Sequence, residues 1–384
     1  MRLRASPFFS RSWASALSRR TPPPNLAVTL PNESLTFELG YCKLPTGDWR
    51  AKLAGCQQQF RKLHQEELQM QHTSTAAAYD ARILKLRLPE QDSLKNAAER
   101  CSANLVSLTN IGRAVGQQVR IKRGDDPRFV AIYTVNQRNP DDPSRADIVH
   151  AGLAGRERLG TSDELDAIVE ATVLDAPGEP AGVRFFEVAD DAGDQSYFVV
   201  IAPHGGMIEQ HTDEQATEVI SQLRTAGFPA SLWMCKGFGD EAQGASDRWH
   251  ITSTDLHPAS FPLLGSIMSR RFFYGVAFHG FARKEGEANI YIGGAAPPPL
   301  KETVQRSLNR LGLPLKVKIS TRADDDRLQG FSPENVINRL AASGIHLEQS
   351  AEARRFHKEI AGAVAKVFAS PWRWLVWALM GFLR

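Results

Sequence analysis

The sequence predicts an α/β protein, a mixed sheet flanked by helices, preceded by a small β-rich module and a partly helical N-terminal region. Three observations predict it. After Val183, short apolar runs alternate with segments of helical period, the rhythm of strands covered by helices. One of those runs, "YFVVIAP", is apolar almost throughout, as a strand buried on both faces must be. Between about Leu105 and Gly160, the runs "QVRIKR", "FVAIYTV" and "ADIVHAG" are separated by the turn signals "RGDDP" and "NPDDPS".

Bulk composition sets the limits. The chain has 384 residues, enough for two or three domains, and its 42% hydrophobic and 23% charged content is that of an ordinary globular protein. A net charge of +3 is too small to argue for nucleic acid as a partner, and none is expected. Four cysteines (Cys42, Cys56, Cys101, Cys235) show no C-x-x-C spacing. They read as small core residues or free thiols in a reducing compartment, not as a disulfide framework or a zinc site.

Residues 1–32 form a basic arm, with Arg2, Arg4, Arg11, Arg19 and Arg20 and no acidic residue before Glu33. That composition fits an organelle-targeting segment and equally a basic extension. Residues 33–104 read as partly helical and polar, "LAGCQQQFRKLHQEELQMQH" being the clearest stretch. Residues 105–180 make the β-rich module, 183–368 the α/β domain and 369–384 an apolar, Trp-rich tail. The tail, "PWRWLVWALMGFLR", is shorter than the ~20 residues a membrane span needs, and it suits either packing on the core or contact with a membrane surface. A cytoplasmic location is expected, with organelle targeting through the N-terminus or membrane association through the tail as alternatives.

Within the α/β domain the expected strands are "YFVVIAP", "ASLWMCK", "RWHITST", "FYGVAFHG", "NIYIGG", "LKVKIST" and "GIHLEQ". Helices are expected over 299–312, 332–344 and 350–368, the last with a stripe of Phe356, Ile360, Val364 and Val367. Another helix follows the first strand. Thr212 and Gln215 have the spacing of a capping box, Ala216, Val219, Ile220 and Leu223 give its apolar face, and Gly227 closes it.

Residues 204–211 therefore join a strand to a helix, at the strand's carboxyl end, where open α/β sheets bind ligands. This loop carries His204 and Glu209 around Gly205 and Gly206. Alone, a surface Glu at a helix entry explains the pair. Two further strand ends strengthen it: "GVAFHGF" ends at His279 and "GIHLEQS" at Glu348. Together they hold the inventory of a mononuclear zinc hydrolase, two His and one carboxylate on the metal and a second carboxylate as general base. His211, His250 and His257 compete as ligands; His250 reads as a satisfied core histidine, while His346 and His357 read as structural. Asn338, Arg339 and Arg354 flank Glu348 and suit a substrate carboxylate, with Arg270 and Arg271 as further basic candidates. The sequence contains no nucleophile elbow, P-loop or dinucleotide-binding glycine motif.

In order along the chain, "APHGGMIEQHTDE", "WHITST", "FHGF", "IYIGG" and "NVINR…GIHLEQS…R" resemble the phage-type poly-γ-glutamate hydrolases and their bacterial relatives, some of them named phage-related replication proteins. The resemblance runs from Val183 to Lys358. It implies a zinc carboxypeptidase-like fold with one catalytic Zn²⁺ on His204, Glu209 and His279. It also implies Glu348 as the catalytic carboxylate, and Arg339 and Arg354 as substrate-facing. One departure is Met207, where the family usually has a third glycine. The first ~180 residues have no counterpart in the short phage enzymes. The function expected is zinc-dependent hydrolysis of γ-glutamyl amide bonds, the partner being an acidic polymer or peptide. A carboxypeptidase or deacylase acting on another acylated amino acid, and a non-catalytic binding module, are the alternatives.

Overall fold

The structure, a computed structural model, describes residues 81–88, 97–138, 143–176, 182–193, 195–370 and 373. The basic arm, the helix expected around 53–72 and nearly all of the Trp-rich tail lie outside the described residues. All that is described falls within one compact unit, Met70–Arg384.

The first part of this unit is a closed barrel. Its strands are β1 (Ala81–Arg87), β2 (Arg100–Ala103), β3 (Gln118–Arg123), β4 (Val130–Arg138), β5 (Ile148–His150) and β6 (Leu165–Glu170), in the order β1-β5-β2-β4-β3-β6. Closure removes the unpaired edges that an open small sheet would expose. Alternating side chains of β1, β3 and β4 point inward, so Leu84, Leu86, Val119, Ile121, Ala131, Tyr133 and Val135 fill the interior. Two short helices, α1 (Leu105–Asn110) and α2 (Leu153–Glu157), cover its ends. The barrel corrects the expected boundary. β1 and β2 fall within the region read as partly helical, because a seven-residue and a four-residue strand are too short to leave a clear period there.

The second part is a seven-stranded sheet. It contains β7 (Arg184–Asp190), β8 (Phe198–Gly206), β9 (Ala230–Phe238), β10 (Phe272–Phe281), β11 (Ile290–Gly293), β12 (Val317–Ile319) and β13 (Ala341–Ser350), ordered β12-β11-β13-β10-β8-β9-β7. The centre β13-β10-β8-β9 is parallel, while β7 and the β11–β13 pair run antiparallel, so the sheet is mixed. Helices lie on both faces. α3 (Thr212–Thr225), α6 (Pro298–Asn309) and α9 (His357–Phe368) bury one face around Phe198, Val276 and Phe278. On the other face α4 (Ala245–Trp249), α5 (Pro262–Met268) and α7 (Val336–Leu340) pack around Trp233, Trp249 and Phe261. Val130 and Ile132 of the barrel join that second cluster, so barrel and sheet share a core.

The mixed sheet with helices on both sides is as expected, and several local details differ. "RWHITST" is not a strand: its first residues end α4, and the chain then runs irregularly beneath the sheet. The helix expected over 332–344 shrinks to α7 because β13 starts at Ala341 to reach its register with β10. The helix expected over 350–368 divides into α8 (Ala351–Arg354) and α9. The capping box does not form. His211 is the N-cap residue in a left-handed conformation at φ 73°, and Gln215 turns inward instead. There it exchanges amide hydrogen bonds of 2.7 and 2.8 Å with Gln349, bolting α3 to β13.

Phe198 shows how the sheet is held. It is fully buried on β8 and its ring lies 4.7 Å from that of Phe368 at the end of α9. Phe198→Ala should cost about 3–5 kcal/mol, the usual penalty for emptying a core aromatic site, read as a lower denaturation midpoint with an unchanged slope.

Candidate metal and catalytic site

Adjacent parallel strands bring the site together. β8, β10 and β13 are neighbours, and their carboxyl ends carry His204, His279 and Glu348, the last two paired directly in register. Glu209 is drawn in by a tight turn: its N–H donates to His204 O at 2.9 Å, and the Thr212 hydroxyl donates to Glu209 O at 2.8 Å. Gly205 permits this turn, since a Cβ there would lie 2.7 Å from both the Asp213 side chain and Cys235 O. Met207, the departure from the family pattern, is half exposed and lies outside the cavity lining.

The two imidazoles converge through Nδ1. His204 Nδ1 is 2.9 Å from Glu209 Oε1 and 3.2 Å from His279 Nδ1, which is itself 3.6 Å from Glu209 Oε2. Each ring is oriented from behind. His204 Nε2 donates to Ile251 O at 2.9 Å, and His279 Nε2 lies 3.3 Å from Ser253 Oγ. With Nε2 donating to Ile251, His204 turns Nδ1 toward Glu209 and His279. Burial, helped by the charge of His346, pushes the His279 pKa down to about 4, which keeps its ring neutral. Burial opposes ionisation of Glu209, yet the charge and hydrogen bond of His204, with those of His250 and His279, hold its carboxyl well below the usual range. Glu209 Oε2 has no hydrogen-bond partner among the described residues. Two imidazole nitrogens and a carboxylate oxygen facing one another at these separations suit a cation, and the N,N,O set is one that zinc accepts.

His250 is a rival ligand, since it, His204 and Glu209 place ligand atoms within 4.8 Å of one another. Its contacts tie it to the barrel as well. His250 follows α4, pairs through Nδ1 with Glu99 of the barrel, and has Nε2 at 3.6 Å from Glu209 Oε1. Burial disfavours its charge, but hydrogen bonds and charges from Glu209 and Glu99 outweigh this and push its pKa up to about 10. His279 Nδ1 lies close to both His204 Nδ1 and Glu209, while His250 Nε2 stands 3.6 Å from Glu209 Oε1 beside this group. Where a core histidine was expected, His250 lines the cavity.

Glu348 faces this group across a cavity of about 320 Å³. Burial raises its pKa, with the charge of Glu209 adding to the shift, and its Oε2 lacks a hydrogen-bond partner. His346 holds the other oxygen at 2.8 Å through Nε2, while His346 Nδ1 lies 3.5 Å from Asn335 Nδ2. That places an oriented Asn335–His346–Glu348 chain where only a structural histidine was expected. The period of two along β13 puts His346 and Glu348 on one face, a signal present in the sequence.

The anchoring residues separate. Asn338 does not line the cavity. Its side chain bridges Gly330 O, Ser332 O and the Ala295 N–H, so it fixes the chain around α7. Arg339 donates to Leu256 O at 2.8 Å and also stands away from the cavity, correcting its expected role. Arg270 pairs with Asp191, outside the lining. Arg354 is placed at the site: it donates to Gln210 O and Gln349 O, and its guanidinium packs close against Gly280, where a Cβ would lie 2.0 Å from Nη1. It lines a second cavity of about 430 Å³ that shares Glu209, His250 and Gly280 with the first. Arg327, which sequence reasoning missed, lines the first cavity and is held by Asp325 and Glu287.

Fold and site together place a candidate His/Glu metal centre at the strand ends of a mixed α/β sheet. Residues 183–366 match the family described as poly-gamma-glutamate hydrolase, which bears out the resemblance read from the motifs. Among solved structures, a bacteriophage poly-gamma-glutamate hydrolase is 23% identical over 50% of this chain and 91% of its own, with a TM-score of 0.39. The zinc-free apo form of YNDL is 20% identical over 48% of this chain and 88% of its own, at 0.37. A metallo-carboxypeptidase from Burkholderia cenocepacia is 8% identical over 76% and 85%, at 0.31. No curated protein matches the chain. Among the described residues no helix is long and apolar enough to cross a membrane.

The Glu99–His250 pair sets a pH dependence for the metal-free protein. Folding lowers the Glu99 pKa from 4.5 to about 2: burial opposes this, but His250, Arg158 and the Thr252 N–H prevail. Its stabilisation is therefore present above pH 4.5 and lost as pH falls toward 2. The His250 pKa rises from 6.5 to about 10, so its stabilisation is complete below 6.5 and lost as pH rises toward 10. The melting-temperature gap between wild type and Glu99→Gln, measured in chelator, should be widest near pH 5–6 and narrow on both sides.

Proposed function

We propose that the protein is a zinc-dependent amide hydrolase cleaving γ-glutamyl bonds of poly-γ-glutamate or a similar acidic amide. The observation that carries this reading is the convergence of His204 Nδ1, His279 Nδ1 and Glu209, with Glu348 across one cavity, inside the segment that matches the family. His204, Glu209 and His279 would hold the ion. What zinc supplies when bound is polarisation of the scissile carbonyl and a lowered pKa for water.

The remaining work falls to the chain's own side chains. Glu348 takes the proton from the attacking water at Oε2 and later delivers it to the leaving amine; its raised affinity for protons suits both directions near neutral pH. His346, donating through Nε2 to Oε1, keeps that carboxylate aimed into the cavity. His250 lines the same cavity, with Nε2 3.6 Å from Glu209 Oε1, and suits a donor to the carbonyl oxygen as negative charge builds there. Arg354, lining the cavity that adjoins Glu209 and His250, suits a substrate carboxylate.

Glu348→Gln should lower kcat by about 10²–10⁴-fold on a γ-linked glutamyl oligomer while zinc content stays at one per chain. His204→Ala should lose the zinc. Full turnover by Glu348→Gln would overturn the assignment, and preference for α-linked over γ-linked peptides would move it to a carboxypeptidase. Arg354→Ala should raise KM about tenfold or more for acidic substrates, with little change for an uncharged amide; equal loss on both would argue for a packing role.

A further inference from the structure

The barrel lies outside the segment that matches the family, yet it reaches the metal ligands through one short stretch, His250 to Ser253. Within that stretch the contacts alternate. Glu99 of the barrel pairs with His250 Nδ1 through one carboxylate oxygen. Its other oxygen accepts the Thr252 N–H at 2.6 Å and the Thr252 hydroxyl at 2.9 Å. The residues in between face the opposite way: Ile251 O accepts from His204 Nε2, and Ser253 Oγ meets His279 Nε2. An extended chain produces this alternation, and His250 has extended backbone angles (φ −66°, ψ 131°). One side of the stretch is gripped by the barrel, and the other orients both imidazoles.

The grip is specific. Glu99 is the only barrel carboxylate lining the neighbouring cavity, and it is mostly buried there. Arg158 supports the same stretch, donating to Asp247 O at 2.7 Å and His250 O at 3.1 Å. Arg100 forks onto Asp255 at 2.9 and 3.1 Å just beyond it. Without Glu99, the Thr252 N–H and His250 Nδ1 would lose a charged acceptor, and nothing else described bonds to that N–H.

We propose that Glu99 is a positioning residue of the metal site. It clamps 250–252 so that Ile251 O and Ser253 Oγ hold His204 and His279 with Nδ1 converging, which makes the barrel one of the two bodies that build the site. The inference rests on the metal reading above for one of its two readouts only. Partners behind a ligating histidine typically govern 10–100-fold in metal affinity.

The test uses the full chain. Glu99→Ala should weaken zinc binding about 10-fold or more, measured by chelator competition, and Glu99→Gln less, since an amide oxygen still accepts from Thr252. In the metal-free protein, hydrogen exchange at 250–254 should quicken about 10-fold in Glu99→Ala. Tyr133→Phe, which removes a buried hydroxyl bonded to Gly155 O inside the barrel, is the control for general loosening. It should lower the melting temperature while leaving zinc affinity and exchange at 250–254 as in wild type. Unchanged affinity and exchange in Glu99→Ala, or equal changes in Tyr133→Phe, would overturn the proposal. A wild type that binds no zinc would overturn the metal reading alone; quickened exchange in Glu99→Ala would still uphold the clamp.

Discussion

The burial of two carboxylates and four imidazoles around one cavity is the constraint on which the rest of the site depends. Removing such groups from water costs several kcal/mol per ion, and a protein tolerates that only where each has partners. Here the partners lie behind the groups. His204 and His279 are bonded away from the cavity to Ile251 and Ser253, Glu348 to His346, and His250 to Glu99. The two Nδ1 nitrogens meet each other and Glu209 in the space these partners leave, and Glu209 Oε2 and Glu348 Oε2 have no partner among the described residues. A core that only stored polar groups would satisfy them in every direction. This one is satisfied behind and open in front, which is the electrostatic form of a site waiting for a charge.

The sheet supplies the precision. A parallel register places His279 beside Glu348, and a one-residue slip of either strand would turn its side chain to the opposite face of the sheet. The apolar clusters on the two faces make that shift costly, since Val276 and Phe278 flank His279 in the alternation. Glycines then let rigid parts approach closely. Gly205 lets the loop fold against Asp213, and Gly280 leaves the floor on which the Arg354 guanidinium rests.

How far the sequence alone reveals this follows from distance along the chain. The convergence of His204, His279 and Glu348 was legible because each stands at the end of an apolar run, with Glu209 in the loop after the first, and neighbouring parallel strands bring such ends together. The apolar face of α3 was legible for a similar reason, its period being local. The capping box failed because Gln215 has a stronger partner in Gln349, 134 residues away, and a buried amide pair outweighs a helix cap. Asn338 and Arg339 were misplaced because nearness to Glu348 in sequence is not nearness in a chain that turns from α7 into β13 between them. His250 was misread for the deepest reason. The partner of its Nδ1 is Glu99, 151 residues earlier, in a module whose short strands gave no sign of touching the site.

That last relation also explains why an added barrel and an irregular segment belong together. The stretch after α4 lies in no strand and has no ladder to hold it, yet it must orient two imidazoles to within a few tenths of an ångström. Irregular chain is the part of a fold that opens most readily, because few of its backbone bonds are shared with neighbours. Clamping it from the sheet side alone would use the same groups that face the cavity. A second body, sharing the Val130, Ile132 and Trp249 cluster and reaching over with Glu99, Arg100 and Arg158, fixes the segment from behind and leaves the cavity face free. On this argument the barrel's place in the molecule is set by the least ordered wall of the site.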